Sequence, residues 1–323
     1  HGRDVLVISD GHLMGYGIEG AFKSKAGFEI AGLHAHATMR PDLFELPAAP
    51  SFDAVEQSIE HAAKGLGDSI RNRLDRLGVE VVEGRGRFID ANSVMVGDDT
   101  IRARHIVIAT GTVPRVFPGV RVDGHRVLTS DEIVGIKFLP KSLLILGAGI
   151  IGCEFASIFN GLGSKVKLVD TQDRILASED EDVSRFLSRG LSMSGVDVIH
   201  SCRFEGMEVG KDSVTTSLSN GQQVVTESVL LAIGRNPNTD GLDTRAAGID
   251  LDDRGYIPVG DDMRTNVPHI YAVGDVGQRN TPMDIALVHV AQAEGRCAAY
   301  SILGEAFTLN MDHVPYIIFT MPM

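Results

Sequence analysis

Short apolar runs alternate with stretches of helical periodicity along the chain. Residues 4 to 9, Asp4-Val-Leu-Val-Ile-Ser9, read as a short buried strand. Four glycines between residues 11 and 20 predict a turn or a close backbone approach, and Ser24 to about Gly32 is compatible with a helix. Pro41, Pro47 and Pro50 mark residues 37 to 51 as a loop. From about Phe52 to Leu77, Val55, Ile59, Ala62, Leu66, Ile70, Leu74 and Leu77 recur at helical spacing and predict a long amphipathic helix. It feeds a strand at Val79 to Glu83. Three short β-like runs follow, at Arg87 to Ile89, Ser93 to Val96 and Thr100 to Arg102. His105-Ile-Val-Ile-Ala-Thr-Gly111 then reads as a buried strand ending in a glycine turn. A second series opens at Ser142-Leu-Leu-Ile-Leu146 and closes near Ile257, after a strand at Ser228 to Gly234. The last part holds a strand at Ile270 to Gly274 and a helix from about Thr281 to Leu303. Strands alternating with helices predict α/β layers.

Composition narrows the function classes. The 323 residues suffice for two domains, and no apolar run is long enough to span a bilayer. The N-terminal residues lack the pattern of a secretory signal. A formal net charge of −13 repels phosphate backbones and anionic lipid heads, which argues against nucleic-acid and membrane partners. Cys153, Cys202 and Cys297 are far apart, so they read as buried thiols of a cytoplasmic protein rather than a disulfide framework. His34 and His36 sit two apart, but nothing has the spacing of a zinc site, and no metal is expected.

Gly147-Ala-Gly-Ile-Ile-Gly152 carries the most information. The apolar run Leu143 to Leu146 precedes it, a plausible helix from Cys153 to Leu162 follows, and Lys165-Val-Lys-Leu-Val-Asp170 forms the next strand. Gly147 allows the strand-to-helix turn, Gly149 lets the backbone approach a pyrophosphate, and Gly152 lets helix and strand pack closely. The helix N-terminus offers free N–H groups to the phosphates. Asp170 lies 23 positions after Gly147, where an acid accepts hydrogen bonds from the adenosine 2′-hydroxyl and repels a 2′-phosphate. NAD is therefore favoured over NADP.

Four segments together resemble the FAD-dependent pyridine nucleotide-disulfide oxidoreductases, the family of dihydrolipoamide dehydrogenase and the soluble pyridine nucleotide transhydrogenases. Gly147 to Ala156 resembles the NAD motif. Ile108-Ala-Thr-Gly111 with Pro114 resembles the linker leaving the FAD domain. Ala232-Ile-Gly-Arg-Asn-Pro-Asn238 resembles the segment returning to it, and Ile270-Tyr-Ala-Val-Gly-Asp275 the second FAD motif. Gly78 to Phe88, Ile151 to Phe159, Gly161 to Gly163 and Ala298 to Gly304 look most like the transhydrogenases. The resemblance implies an α/β fold of two Rossmann-like dinucleotide-binding domains, with the NAD domain inserted into a discontinuous FAD domain. The expected limits are 1–137 and 258–310 for the FAD domain, 138–257 for the NAD domain, and 311–323 for the start of a C-terminal dimerisation domain.

The resemblance also implies roles. Lys25 matches a lysine near the flavin's reactive edge and Glu154 the glutamate that pairs with it, both as catalytic residues. Gly147, Gly149, Gly152 and Asp170 bind the nicotinamide dinucleotide. Thr110, Gly111, Gly234, Gly274, Asp275 and His289 belong to cofactor-binding segments. Arg235 reads equally as a site or a surface residue, and His289 equally as a flavin neighbour or a core histidine.

Three departures shape the expected chemistry. The family's C-x-x-x-x-C-x-x-S-K falls on Tyr16 to Lys25, with Tyr16 and Ala21 at the cysteine positions. Thiolate chemistry is therefore absent, and hydride must pass from nicotinamide through flavin alone. The opening FAD glycine motif should precede Val5, and the family's acid at that strand's end falls on Ser9, with Asp10 next; a missing segment is the favoured explanation. Val314 to Pro322 looks like the first strand of the dimerisation domain, whose remainder is not in this chain. Gln172 stands where one transhydrogenase pattern has an arginine suited to a 2′-phosphate. The expected function is an FAD-dependent NAD(P)H oxidoreductase most like a soluble transhydrogenase. A homodimer is implied, with nucleotides and an unidentified electron acceptor as partners. The alternatives are an NADH diaphorase or quinone reductase, a dihydrolipoamide dehydrogenase-like protein, and a non-catalytic nucleotide sensor.

Overall fold

The computed structural model describes residues 4–13, 15–39, 43, 51–279, 286–307, 309–310 and 314–321. In chain order the first elements are β1 (Leu6–Ser9), α1 (Tyr16–Thr38), α2 (Phe52–Arg76), β2 (Glu80–Glu83), β3 (Gly86–Asp90), β4 (Ser93–Val96), β5 (Asp99–Arg102), β6 (Ile106–Ile108) and β7 (Thr112–Pro114). Next come β8 (Val127–Thr129), α3 (Ser130–Ile133), β9 (Ser142–Leu146), α4 (Ile150–Gly161), β10 (Lys165–Val169), α5 (Glu181–Met193) and β11 (Asp197–Ile199). The remainder is β12 (Phe204–Val209), β13 (Val214–Leu218), β14 (Gln223–Thr226), β15 (Ser228–Leu231), β16 (Arg235–Pro237), β17 (Ile257–Val259), β18 (Ile270–Ala272), β19 (Gly277–Arg279) and α6 (Val288–Leu303). Among the described residues no helix is long and apolar enough to cross a membrane.

The chain divides into two units. One comprises Glu19–Lys64, Pro114–Gly234 and Ile317–Met323. Its centre is a parallel sheet in the order β11-β10-β9-β15-β8. Parallel strands are covered on both faces, so β9 reads as a continuous apolar run rather than an alternation. Its alternate side chains still separate: Leu143 and Ile145 pack with Phe155, Phe159 and Leu162 on or beside α4, and Leu144 and Leu146 pack toward Val214 and Leu218 of the antiparallel β12-β13-β14 meander. Leu143, Leu144 and Ile145 are wholly buried, each contributing roughly 1.5–3 kcal/mol of apolar burial. The two edge strands, β8 and β11, are additions to the elements read from the sequence.

The helix α1 extends well beyond the segment expected between Ser24 and Gly32, because tertiary packing overrides the low helix propensity of its glycines. Ala31 is fully buried, and a Cβ at Gly161 would lie 3.2 Å from both the Cβ and the carbonyl oxygen of Ala31. The helix therefore gains its stability from close approach to α4 rather than from a strong amphipathic pattern.

The other unit comprises His1–Ile18, Gly65–Val113 and Arg235–Tyr316. It contains the parallel pairs β1–β2, β6–β18 and β17–β19, the antiparallel β3-β4-β5, and the β7–β16 pair. Alternation along β18 sends Ile270 and Ala272 into a cluster with Phe88, Ile108 and Ile257, and Tyr271 into a second cluster with Cys297 and Ala298 of α6. The helix α6 begins at Val288; residues 281–285, where its start was expected, lie outside the described residues.

The strand expected from Val314 onward is not formed among the described residues. A strand needs a ladder to satisfy its backbone. Here the Phe319 and Met321 N–H groups instead donate to the side chains of Glu154 and Ser157, at 3.0 and 3.2 Å.

Candidate functional site

The loop after β9 is shaped by two glycines that the fold itself requires. Gly147 has φ +104°, and a Cβ there would come within 2.3 Å of the Ala232 carbonyl oxygen. A Cβ at Gly152 would lie 1.9 Å from the Gly147 carbonyl oxygen. Gly149 differs: an added Cβ would meet nothing within 4 Å. It is the N-cap of α4, with no side chain to cap the helix. The open space above Gly149, next to a helix N-terminus, suits a pyrophosphate.

Strand order places this loop at a favourable point of the sheet. From β9 the chain moves to β10 and β11 on one side, whereas β15 lies on the other. The carboxyl ends of β9 and β15 thus flank a topological switch point, where open α/β sheets bind ligands. Ala232 N–H donates to Leu146 O at 2.8 Å. Beyond it Gly234 has φ +101°, and its carbonyl accepts Arg115 N–H at 2.9 Å.

Asp170 ends β10 and braces the loop. One carboxylate oxygen accepts the Ala148 N–H, and the other accepts the Gln172 N–H at 2.8 Å. Each oxygen retains acceptor capacity for a ribose hydroxyl. The glycine loop and its acid therefore fit a nicotinamide dinucleotide.

A second constellation in the same unit joins Lys25 to Glu154. Lys25 Nζ stands 2.7 Å from Glu154 Oε2, and Glu154 is buried in the first turns of α4. Glu154 Oε1 accepts the Phe319 N–H at 3.0 Å. The Phe319 ring lies under the ammonium, 4.9 Å from its centroid, and meets Phe28 edge-on at 5.8 Å. A buried carboxylate needs such pairing. The part of Phe319 was not legible in the sequence, because a lone aromatic 165 positions from Glu154 carries no local signal. Nearby on α1, Lys23 is buried between Glu19 and Glu60, at 2.9 and 2.8 Å. Burial opposes its charge, but the bonds to Glu60 and Glu19 outweigh that and raise its pKa.

Ala21 occupies one cysteine position of the family pattern on α1, and Tyr16, at the other, opens that helix. The three cysteines of the chain are free and buried. Burial, with the charges of Asp170 and Glu154, pushes the Cys153 thiol up to about 12. It stays protonated at neutral pH and is a poor nucleophile.

The turn after β18 brings together segments distant in sequence. Gly274 has φ +69°, and Asp275 follows it in a 3-10 turn, Gly274–Val276. Thr112 Oγ1 donates to Asp275 Oδ2 at 3.3 Å. Burial pushes the Asp275 carboxyl above its ordinary range, against the Thr112 bond and the positive charge of Arg235. Arg235 Nε and Nη2 donate to Thr112 Oγ1 and O, each at 2.8 Å, so its guanidinium is tied to the segment that carries Thr112. Asn238 holds the linker, its N–H donating to Gly111 O at 2.9 Å and its side chain to Thr110 O at 3.2 Å. Gly111 has φ +64°. The Ala-Thr-Gly, Arg-Asn-Pro-Asn and Gly-Asp segments are thus gathered around one half-buried carboxyl with spare acceptor capacity, which suits hydroxyl donors such as those of a ribityl chain. His289 is exposed in the first turn of α6, so it is not a core histidine. At the end of β1, Ser9 O accepts Gly84 N–H at 2.8 Å and Asp10 faces Arg85 at 3.5 Å.

A family model for pyridine nucleotide-disulphide oxidoreductases matches residues 2–295. The chain belongs to that family. Its members use FAD and NAD(P)H. The chain is 34% identical to a dihydrolipoyl dehydrogenase of Bacillus subtilis, covering 99% of this chain and 71% of the relative. It is 37% identical to the dihydrolipoyl dehydrogenase of Chlamydia pneumoniae over 84% of this chain and 56% of the relative. Identity to a soluble pyridine nucleotide transhydrogenase of Mycobacterium tuberculosis is 38%, over 79% and 55%. The chain thus spans little more than half the length of two of these three relatives. Among solved structures, LpdA of Mycobacterium tuberculosis superposes with a TM-score of 0.89 at 28% identity, over 99% of this chain and 71% of that one. The copper(II) complex of RclA, an HOCl-induced flavoprotein disulfide reductase of Escherichia coli, gives 0.85 at 27%, with the same coverage. The pyridine nucleotide-disulphide oxidoreductase fold, with FAD and NAD Rossmann domains, is therefore the fold of this chain.

Proposed function

We propose that this chain forms the nucleotide-binding part of a flavin-dependent NAD(P)H oxidoreductase that moves hydride from nicotinamide to flavin without a redox disulfide, most like a soluble pyridine nucleotide transhydrogenase. The observation that carries the reading is a complete dinucleotide cradle in a chain whose only cysteines are three free, buried thiols. A bound flavin would supply the two-electron acceptor. The chain's own residues do the rest. Gly147, Gly149 and Gly152 shape the pyrophosphate cradle, Asp170 takes the adenosine ribose, and Gly234 keeps the neighbouring strand end clear of side chains. Glu154 holds the Lys25 ammonium in place, ready to meet negative charge developing on the acceptor. Thr110, Gly111, Gly274, Asp275 and His289 serve the flavin nucleotide. The domain limits 1–137, 138–257 and 258–310, a homodimer and a cytoplasmic setting complete the proposal.

Asp170 beside Gln172 favours NADH over NADPH, which supports a diaphorase or quinone reductase as the second reading. The test is an anaerobic titration of the FAD-loaded chain with NADH and then NADPH, followed in the visible flavin spectrum. Bleaching with no long-wavelength thiolate band is the expected result. Reduction by NADPH as readily as by NADH would remove the ribose role of Asp170. Nucleotide binding that leaves the flavin oxidised would replace the enzyme with a sensor.

A further inference from the structure

The geometry points to Glu294 as the residue that fixes the turn carrying Asp275, and so as a positioning residue for flavin-nucleotide binding; this rests on the function proposed above. Glu294 lies in α6 and is 7% exposed. Its Oε2 accepts the Gly274 N–H at 2.7 Å, and its Oε1 meets Arg279 Nε at 3.1 Å. The two side chains of that pair are 9% and 10% exposed. One turn earlier on the same helix, Ala291 packs on the same glycine: a Cβ at Gly274 would lie 3.3 Å from the Ala291 Cβ. Residues 291 and 294 share a helix face, so α6 grips Gly274 twice, once by contact and once by a charge-assisted hydrogen bond.

That grip has a specific consequence. Gly274 sits at φ +69°, a conformation open to many alternatives in a free glycine. Its N–H is fixed by Glu294, and the following residue is Asp275, whose carboxyl meets Thr112. Neutralising Arg279 alone would need only a nearby charge. It would not need one carboxylate oxygen aimed at a backbone N–H inside the turn. A buried carboxylate shared between a main-chain donor and a guanidinium restrains both.

The test compares Glu294→Ala with Glu294→Gln in the full chain. Gln keeps an acceptor of the same shape for the Gly274 N–H but discards the charge. Amide hydrogen exchange at Gly274 is read without cofactor, FAD affinity by fluorescence, and NADH affinity as a control on the glycine loop. Glu294→Ala is expected to speed Gly274 exchange roughly tenfold or more and to weaken FAD binding by a comparable factor, with NADH affinity unchanged. Glu294→Gln is expected to stay within about threefold of wild type on both measures. Equal losses in both variants would make charge neutralisation the role and overturn the inference. A fall in NADH affinity alongside FAD would mark general unfolding and overturn it too. A wild-type chain that takes up no FAD defeats the proposed function and this inference together. Wild-type binding matched by Glu294→Ala defeats the inference alone.

Discussion

The glycine loop after β9 and the turn after β18 start alike and finish differently. Each follows an apolar strand, and each opens on a glycine at positive φ, +104° at Gly147 and +69° at Gly274. The first then builds its site from main chain and one neighbouring acid: three closely spaced glycines, a helix N-terminus and the carboxylate at the next strand end. The second builds from side chains gathered across the sequence, since Thr112 and Asp275 are 163 positions apart and Arg235 and Thr112 are 123 apart. A backbone cradle is written into adjacent residues. A side-chain assembly exists only once the fold has formed.

The largest effect should come from breaking the backbone cradle at one glycine while sparing its neighbour. Gly152→Ala drives a Cβ to 1.9 Å from a carbonyl oxygen that cannot step aside. Chemical denaturation should show a loss of about 3 kcal/mol or more, with nucleotide binding lost as well. Gly149→Ala meets no neighbouring atom and has an ordinary φ of −74°. Its stability should stay within about 0.5 kcal/mol of wild type, while NADH binding weakens about tenfold or more, equivalent to ~1.4 kcal/mol. Unchanged NADH affinity in Gly149→Ala would mean that the open space is not where the pyrophosphate lies.

How much of the molecule could be read beforehand follows the same division. The strands β9, β10 and β18, the helix α2 and the loop from Gly147 to Gly152 have local causes: apolar runs, helical spacing and glycines between strand and helix. Lys25 and Glu154 were paired only through the family resemblance, and the structure sets them 2.7 Å apart. Phe319, Glu294 and Arg279 escaped, because a single aromatic or charge far along the chain has no periodicity to reveal it. The start of α1 is hidden for the opposite reason, since Gly17 and Gly20 signal a turn locally and are overruled by packing of the rest of the helix.

Glu154→Gln sharpens the comparison at a site that mixes both kinds of construction. One carboxylate oxygen serves the Phe319 backbone and the other the Lys25 ammonium. The amide preserves the first bond and weakens the second. Flavin reduction by NADH should slow roughly tenfold with flavin content unchanged, read by stopped-flow absorbance. An unaltered rate would leave Lys25 and Glu154 as a structural ion pair only. Asp170→Ala is next in size. It removes the acceptor for Ala148 and Gln172 N–H, which should cost about 1–2 kcal/mol of stability. It should also narrow the gap between NADH and NADPH affinities, and an undiminished preference for NADH would assign discrimination elsewhere.

The smallest effect tests the side-chain assembly through pH. Burial pushes the carboxyls of Asp275 and Glu294 above their ordinary ranges. The folded chain therefore keeps protons that the unfolded chain releases. Stability from these groups is full below the ordinary carboxylate value and declines as pH rises through the folded-state value. Asp275→Asn removes one such charge while leaving an oxygen for Thr112. In the FAD-free chain its Tm should exceed that of wild type at pH 7, by an amount on the order of 2–4 °C. The gap should narrow as pH falls from 7 toward the ordinary carboxylate range, because protonation removes the wild-type charge that burial opposes. FAD affinity should fall at the same time, because the acid is proposed to serve the cofactor rather than the fold. A lower Tm for Asp275→Asn at pH 7 would show that attraction to Arg235 exceeds the cost of burial, so that the second site, like the first, is held in place by the fold's own requirements.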